Sequence, residues 1–284
     1  MRLALALVTA LAAGPLSAAP KPEVRAPDLV VPYRKTEQVK LKLEIFRPVD
    51  WKAGDQRPAV VFFFGGGWVG GSTKQFRPQA THLAKRGLVA ICAEYRVMSR
   101  HKTRPFEAVE DAKAAVRWVW RNAKAQGIDP RKIISSGGSA GGHLAACCGV
   151  VPGLDDIKKG EPTFIPAAMV LFNPVIDTSR KGYGYNALKE RYKELSPVEH
   201  VHAKTVPTLL MVGSADTTTP PGGDKAFAQK MKKQNLVCQL EVYPGQKHGF
   251  FNARGDNANY WKTVKVMDGF LAKLGYFKEE SKAP

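Results

Sequence analysis

Three residues that lie far apart in the sequence, Ser139, Asp216 and His248, have side chains suited to acyl transfer. That chemistry needs a nucleophile, a base that takes its proton, an acid that orients the base, and amides that bind the oxyanion. A serine, a histidine and an aspartate can fill the first three roles. They act together only if the elements around them bring them to one place.

Ser139 lies at the centre of the sequence SSGGSAGGHLAA, which predicts a nucleophile elbow between a strand and a helix. Residues 132–136 form a short apolar run that fits a buried strand, and residues 143–147 fit the start of a helix. Small residues two before and two after the serine suit this sharp turn, because a Cβ atom there would collide with the crossing backbone. The serine would then lie at a helix N-terminus, whose amides favour a developing anion.

His248 is the candidate base because its loop directly follows the last apolar strand. The C-terminal ends of parallel strands face one edge of a sheet, so His248 and Ser139 can meet there. His143 shares the helix of Ser139 and is expected to point into packing. His200 and His202 lie two residues apart, a spacing that two metal ligands can have. No third ligand accompanies them, so we predict no metal site. The remaining histidines are His82, in a predicted helix, and His101, in a basic loop.

Asp216 is the candidate acid, because it follows the predicted strand at residues 208–212. The order serine, acid, histidine is the one expected of a hydrolase sheet. An alternative role is helix capping, since Asp216 and Thr219 precede Pro220, a residue suited to a first helical turn. Asp177, which follows the preceding strand, is the main rival as the acid.

A glycine triplet supplies the candidate oxyanion donors. It follows the apolar run at residues 59–64, and consecutive glycines let backbone N–H groups approach a ligand closely. We predict that the N–H groups of Gly66, Gly67 and Ala140 form an anion pocket. A flexible turn between strand and helix is the alternative.

The hydrophobic pattern alternates between short apolar strands and longer helical segments, which predicts an α/β fold with a mostly parallel central sheet and helices on both faces. The segment at residues 38–46 alternates apolar and charged residues and predicts an antiparallel, half-exposed strand. Residues 150–205 contain the longest irregular stretch, which is expected to form a lid or a substrate wall. The remaining strands are predicted at residues 88–93, 167–172 and 236–243, and a helix at 105–125.

The N-terminus predicts an exported protein. Residues 1–19 resemble a signal peptide, with Arg2, a short apolar run and small residues before the expected cleavage point. A proline-rich N-terminal segment at residues 20–36 follows, and residues 37–284 are predicted to form one catalytic domain. The expected location is periplasmic or extracellular. The apolar run is too short to span a bilayer, so no membrane anchor is predicted.

The 43 basic and 25 acidic residues give a formal net charge of +18. The basic residues are scattered rather than interleaved with stacking aromatic residues, which argues against a nucleic-acid partner. The four cysteines include an adjacent pair and two residues within apolar strands. Adjacent cysteines rarely bridge each other, so free thiols are expected. Disulfide bonds remain the alternative, because an exported protein folds in an oxidising compartment.

Together, the sequences FGGGW, GGSAGG, GSAD and GQKHGF resemble those of α/β-hydrolase esterases of the hormone-sensitive-lipase type, in the bacterial acetyl esterase/lipase branch. The resemblance extends from about Leu43 to the C-terminus. It implies an α/β-hydrolase fold, a triad of Ser139, Asp216 and His248, and oxyanion amides at Gly66, Gly67 and Ala140. No sequence feature calls for a metal or an organic cofactor.

Two departures from that family have structural consequences. The family's glycine motif usually starts with histidine, where this chain has Phe64, so the bracing of the loop must come from elsewhere. Little sequence precedes the first strand, which predicts a minimal cap and an open site suited to short acyl groups.

The leading hypothesis is a secreted serine carboxylesterase for short-chain acyl esters, including acetylated carbohydrate as in acetyl xylan esterases. Trp68, Tyr183 and Tyr185 could form walls for a sugar ring, with ordinary packing as the alternative. An exported peptidase of the prolyl-oligopeptidase type is the second hypothesis, and a non-catalytic hydrolase-fold binding protein is the third. The sequence does not predict an oligomeric state.

Overall fold

A single eight-stranded sheet organises the chain in the computed structural model, which describes residues 19–155, 157–255 and 257–277. The strand order is β1-β2-β4-β3-β5-β6-β7-β8. Among the described strands, β2 has the opposite direction to the rest: it pairs antiparallel with β1 and with β4. The other pairings of the sheet are parallel. The strands are β1 (Leu29–Lys35), β2 (Lys40–Phe46), β3 (Arg57–Phe63), β4 (Val89–Ala93), β5 (Ile128–Gly138), β6 (Ala168–Phe172), β7 (Thr208–Gly213) and β8 (Cys238–Tyr243).

Helices cover both faces of the sheet, as the alternating pattern predicts. They are α1 (Arg77–Lys85), α2 (Met98–His101), α3 (Pro105–Arg121), α4 (Ala140–Val150), α5 (Tyr185–Leu188), α6 (Gly222–Lys233) and α7 (Ala258–Lys273). Successive β3 side chains point to opposite faces, so Val61 and Phe63 join one buried cluster while Val60 and Phe62 join the other. The first cluster contains residues of α3, α4 and α6, and the second contains residues of α1 and α7. The predicted mostly parallel α/β-hydrolase architecture is therefore confirmed.

The sheet begins earlier in the chain than the sequence predicts. The sequence predicts that residues 20–36 precede the catalytic domain, yet β1 lies within them and forms the edge of the sheet beside β2. Pro32 is compatible with this strand because an edge strand has one side free of ladder hydrogen bonds. The register shifts between Pro32 and Arg34, as in a β-bulge. Only residues 19–28 of the described chain precede β1, and they contain no helix or strand.

The segment predicted to form a lid or substrate wall folds into short elements at the C-terminal edge of the sheet. After β6 come α5 and two 3₁₀ helices, Lys189–Leu195 and Pro197–His200. The side chain of Thr178 donates a hydrogen bond to the Tyr192 carbonyl, which closes this segment on itself. The segment therefore has local structure of its own beside the site.

The other sequence expectations concern cysteines and membranes. All four cysteines are free, and three of them, Cys92, Cys147 and Cys148, are buried. Among the described residues, no helix is both long and apolar enough to cross a bilayer. The signal peptide predicted at residues 1–19 lies, except for Ala19, outside the described residues.

A buried ion cluster anchors the edge of the sheet to α3. The carboxylate of Asp111, which is fully buried, accepts hydrogen bonds from the backbone N–H of Arg96 at 2.9 Å, from its Nε at 2.8 Å and from its Nη2 at 3.0 Å. Arg34 of β1 adds a fourth at 2.8 Å. Burial raises the pKa of Asp111, and the contacts with Arg96 oppose that shift.

Replacing Asp111 should therefore be costly. Asp111→Ala leaves two arginines without their buried partner and is expected to lower the free energy of unfolding by about 3–5 kcal/mol, measured by urea denaturation. Glu194→Ala removes an exposed ion pair with Arg191 and should cost no more than about 1 kcal/mol. Equal effects of the two substitutions would contradict this view of the cluster.

Candidate active site

Ser139 occupies a strained turn between β5 and α4. Its backbone has φ 56° and ψ −122°, a conformation that costs energy for any residue with a side chain. A Cβ atom on Gly137 would lie 2.4 Å from the Gly141 carbonyl oxygen, and one on Gly141 would lie 2.0 Å from that of Phe63. Only glycine fits at these two positions, because a Cβ atom on either would collide with the crossing backbone.

The side chains of Ser139, His248 and Asp216 form one continuous hydrogen-bonded chain. The hydroxyl oxygen of Ser139 lies 2.9 Å from Nε2 of His248. The other ring nitrogen, Nδ1, lies 2.7 Å from Oδ2 of Asp216. The three residues follow β5, β8 and β7 respectively, which are parallel strands whose C-terminal ends share one edge. The structure thus brings together the three residues predicted from sequence.

The carboxylate of Asp216 is buried and accepts hydrogen bonds at both oxygens. Oδ1 accepts from the backbone N–H groups of Thr218 and Thr219, both at 2.9 Å, and Oδ2 accepts from the Thr219 hydroxyl at 2.9 Å as well as from His248. Burial acts to raise the pKa of Asp216, but the hydrogen bonds from His248 and Thr219 outweigh it and lower the pKa below its usual value. Asp216 is therefore held as the anion.

The capping role considered for Asp216 takes a different form. Helix α6 begins at Gly222, and the residue preceding it is Pro221, so Asp216 does not cap that helix. Its side chain instead accepts from the amides two and three residues ahead and closes a turn in the loop. The same carboxylate serves this turn and contacts His248.

The glycine loop lies against the nucleophile. A Cβ atom on Gly65 would be 3.2 Å from the Cβ of Ser139, so the two backbones are in close contact. Gly66 and Gly67 have φ values of 125° and 63°, in the region that favours glycine. In the part of the chain that the structure describes, neither N–H group donates a hydrogen bond to protein. Ala140 begins α4, where helical N–H groups have no partner within the helix.

The loop is braced without the family's histidine. The Phe64 ring stacks on Tyr95, with centroids 4.1 Å apart, and the Tyr95 hydroxyl donates to the Phe64 carbonyl at 2.7 Å. The backbone N–H of Gly65 donates to Oε1 of Gln75 at 2.6 Å. An aromatic stack and one glutamine thus brace the loop in place of that histidine.

Gln75 also joins the glycine loop to the histidine loop. Its Nε2 donates to Oδ1 of Asn252 at 3.0 Å, and Nδ2 of Asn252 donates to the Gly249 carbonyl at 2.8 Å. Gly249 is the neighbour of His248 in sequence. The candidate oxyanion donors and the candidate base are therefore held in register by two amide side chains.

The rival histidines lie outside this arrangement. His143 is buried, with Nε2 2.7 Å from the Leu195 carbonyl, and burial lowers its pKa to about 4. His82 contacts Asp268, and His101 accepts from the Val97 amide. No group of metal-ligating side chains occurs among the described residues, and this includes the surroundings of His200 and His202.

Asp177, the rival acid, is also engaged elsewhere. Its Oδ1 accepts from the backbone N–H of Ser179 at 2.8 Å, and no hydrogen bond joins it to His248 in the described chain. The geometry therefore favours Asp216 as the partner of His248.

The predicted sugar-ring walls differ from one another. A cavity of about 490 Å³ beside the glycine loop is lined by Gly67, Trp68, Tyr183 and Tyr185 among others. A Cβ atom on Gly67 would lie only 2.5 Å from the Tyr183 hydroxyl, so this tyrosine borders the candidate oxyanion donors. The Tyr185 ring is half-buried, with the Arg180 guanidinium 4.0 Å from its centroid.

For Trp68 the structure favours packing, the alternative that the sequence left open beside a sugar-ring wall. It is 3% exposed, and its ring packs on the edge of His143 at a centroid distance of 5.0 Å. A positive φ of 60° accompanies this placement, which the sequence did not reveal. Trp68 forms the floor of the cavity rather than an exposed surface for a sugar.

Three residues of the site carry no sequence signal of their own. Gln75 and Asn252 are 177 residues apart, and Asn173 contacts both the acid loop and the histidine loop. Each acts through contacts that only the folded sheet creates. Thr219 lies close to Asp216 in the sequence, but its contact with His248 arises only in the folded structure.

Known proteins resemble the chain over most of its length. Residues 43–231 match the family model BD-FAE. Esterase 2 of Thermogutta terrifontis, phosphoramylated by tabun, is 45% identical with a TM-score of 0.84, and the match covers 91% of this chain and 98% of that one. Its propionate-bound form is 44% identical with a TM-score of 0.81, covering 92% and 97%.

Curated relatives are more distant. The probable carboxylic ester hydrolase LipM of Mycobacterium tuberculosis is 26% identical over 82% of this chain and 58% of that protein. Endo-1,4-beta-xylanase B of Butyrivibrio fibrisolvens is 25% identical over 72% of this chain and 34% of that protein. The chain spans about half the length of the first curated relatives that it matches.

The family model covers well over half of the chain, and the structural match is both close and nearly complete. The resemblance to bacterial esterases of the hormone-sensitive-lipase type is thereby confirmed: this chain belongs to the BD-FAE family of α/β-hydrolases.

Proposed function

We propose that the chain is a serine carboxylesterase that hydrolyses short-chain acyl esters through an acyl-enzyme. The observation that carries this proposal is the hydrogen-bonded chain Ser139–His248–Asp216. Beside it lie the N–H groups of Gly66 and Gly67, which donate to no acceptor in the described part of the chain. Esterase relatives support the reaction class.

In the proposed reaction, Ser139 attacks the ester carbonyl carbon while Nε2 of His248 takes the hydroxyl proton. The resulting oxyanion is bound by the N–H groups of Gly66, Gly67 and Ala140. Collapse of the tetrahedral intermediate breaks the carbon–oxygen bond of the ester, and His248 gives its proton to the departing alcohol. Water then attacks the acyl-enzyme while His248 takes its proton. Collapse of the second tetrahedral intermediate releases the acid, and His248 returns the proton to Ser139.

Asp216 acts on this reaction through His248. Because it is held as the anion, it keeps the proton on Nδ1 and leaves Nε2 free to accept one from Ser139. It also stabilises the imidazolium that forms, while remaining ionised itself. The hydrogen bonds that lower the pKa of Asp216 therefore serve the proposed base.

We propose that the substrate is an ester of a short acyl group with a carbohydrate alcohol. Ser139 is half-buried, and the described chain before β1 provides no helix to cover it. The related esterase was solved with propionate and with butyrate bound, and another relative is named as a xylanase. The cavity bordered by Tyr183 and Tyr185 lies beside the oxyanion loop and could receive a sugar ring.

We further propose that the protein is exported, on the basis of the signal-like residues 1–19. Expression of the full chain in a bacterial host should yield a periplasmic or extracellular protein that has lost these residues. Mass spectrometry of the fractionated product measures the cleavage. A cytoplasmic product that retains Arg2 would contradict export without affecting the esterase proposal.

Hydrolysis of nitrophenyl esters of increasing acyl length, run beside acetylated xylan, tests the proposed reaction. Activity should peak at about two to four acyl carbons, because an open site buries little of a longer chain. Acetate should be released from the xylan. Ser139→Ala should reduce kcat by about 10³-fold or more and abolish labelling by a fluorophosphonate probe. A maximum with long-chain esters, or turnover of peptide amides alone, would overturn the assignment.

The brace at Gln75 gives a second test of the oxyanion loop. Gln75→Leu leaves the Gly65 N–H without its acceptor and should lower kcat about tenfold, with little change in KM. Gln75→Glu keeps an acceptor for that N–H and should retain more activity. The exposed Gln229→Leu is the matched control, and equal kcat values for it and Gln75→Leu would refute the bracing role.

A further inference from the structure

Asn173 connects three segments of the site. It follows β6, and its backbone N–H donates to the Met211 carbonyl of β7 at 2.7 Å. Its side-chain Oδ1 accepts from the N–H of Gly249, next to His248, at 3.0 Å. Its own carbonyl lies 3.3 Å from the hydroxyl oxygen of Thr219 in the acid loop. One buried residue therefore contacts both the histidine loop and the acid loop.

The conformation of Asn173 indicates that this placement is tightly determined. Its φ is 32°, a positive value that asparagine tolerates better than most residues. Among the described residues, its buried Nδ2 atom has no hydrogen-bond partner, so the side chain makes its hydrogen bond through Oδ1. Neither feature is expected of a residue that merely fills a turn, because both cost free energy.

The Thr219 hydroxyl lies between the acid and the base. Its oxygen is 2.9 Å from Oδ2 of Asp216 and 3.2 Å from Nδ1 of His248, and the residue is 4% exposed. A hydroxyl has a single proton, and of its two acceptors the carboxylate is nearer and more basic than the Asn173 carbonyl. The proton therefore goes to Asp216, which leaves the oxygen to accept from Nδ1–H of His248 and makes the Asn173 carbonyl a packing contact of Thr219.

We propose that Thr219 and Asn173 are positioning residues for this site. Thr219 fixes the Oδ2 atom of Asp216 against Nδ1 of His248, and Asn173 sets the separation of the two loops that carry them. This inference rests on the proposed esterase function, since it concerns how the same base is oriented. Neither residue touches the reacting atoms.

A misplaced acid and base affect the chemical step more than substrate binding. Without the Thr219 hydroxyl, Oδ2 of Asp216 loses one donor, and the His248 ring gains freedom to turn away from Ser139. The candidate oxyanion donors and the cavity are untouched. We therefore expect kcat to fall while KM stays nearly constant.

Two threonines of one run, Thr217 and Thr219, provide a matched set of three variants. Thr219→Val removes the hydroxyl but keeps the shape, and Thr219→Ser keeps the hydroxyl. Thr217→Val makes the same chemical change at an exposed position without a hydrogen bond in the described chain. Hydrolysis of nitrophenyl acetate by each purified protein is measured at several substrate concentrations, and circular dichroism melts report folding.

Thr219→Val should lower kcat about tenfold, the effect of one hydrogen bond to a charged group, with KM within about twofold of the wild type. Thr219→Ser should recover most of the loss. A kcat for Thr219→Val equal to that of Thr217→Val would overturn the role of Thr219, as would a loss that Thr219→Ser does not recover.

Asn173→Gly tests the second half of the proposal, because glycine accepts the positive φ while the Gly249 contact disappears. It should also lower kcat with KM little changed. Since both residues act on one acid–base pair, the double variant should lose less than the product of the two single losses. Multiplicative losses would contradict a shared role, and if Thr219→Val does not fold, Asn173→Gly alone decides.

The wild-type measurements separate this inference from the proposed function. If the wild type neither hydrolyses the ester nor reacts with a fluorophosphonate, the esterase proposal fails. If the wild type is active and the variants match Thr217→Val, only the positioning proposal fails.

Discussion

Backbone contact at the turn of Ser139 is the constraint on which the site depends. The carbonyl of Phe63 in β3 lies where a side chain on Gly141 would begin, so β3, β5 and the first turn of α4 touch without intervening side chains. At this contact the serine has its positive φ, and the glycine loop after β3 lies beside it. The nucleophile and the candidate oxyanion donors are therefore consequences of one close packing between neighbouring parallel strands.

The acid and the base depend on a different principle, which is the complete pairing of a buried charge. An ionised carboxylate is costly to bury unless its oxygens accept hydrogen bonds. Asp216 meets this condition with two amides, one hydroxyl and one imidazole, and its lowered pKa follows from them. The same donors leave its carboxylate few alternative orientations. The hydrogen bonds that stabilise the buried charge therefore also orient His248.

Local sequence signals were sufficient for the residues that such a turn or loop requires by type. The glycines around Ser139 and the strands that precede Asp216 and His248 could be read directly, because sterics and hydrophobic pattern act over a few residues. The network that joins them could not, since Gln75 and Asn252 meet only after the sheet has formed. Tertiary contacts likewise recruited residues 29–35 to the sheet edge, where local pattern predicted a spacer, and they buried Trp68, whose packing the local pattern left open.

The replacement of the family's histidine by Phe64 shows why such a network can change while the chemistry is kept. The candidate oxyanion donors are backbone N–H groups, so any contacts that fix the loop conformation preserve them. Here an aromatic stack with Tyr95 holds one side of the loop, and Gln75 holds the other and links it through Asn252 to Gly249. Because that link ends beside His248, the bracing of the anion site and the placement of the base are coupled in this chain. The two loops therefore share one hydrogen-bonded brace, made of two side-chain amides.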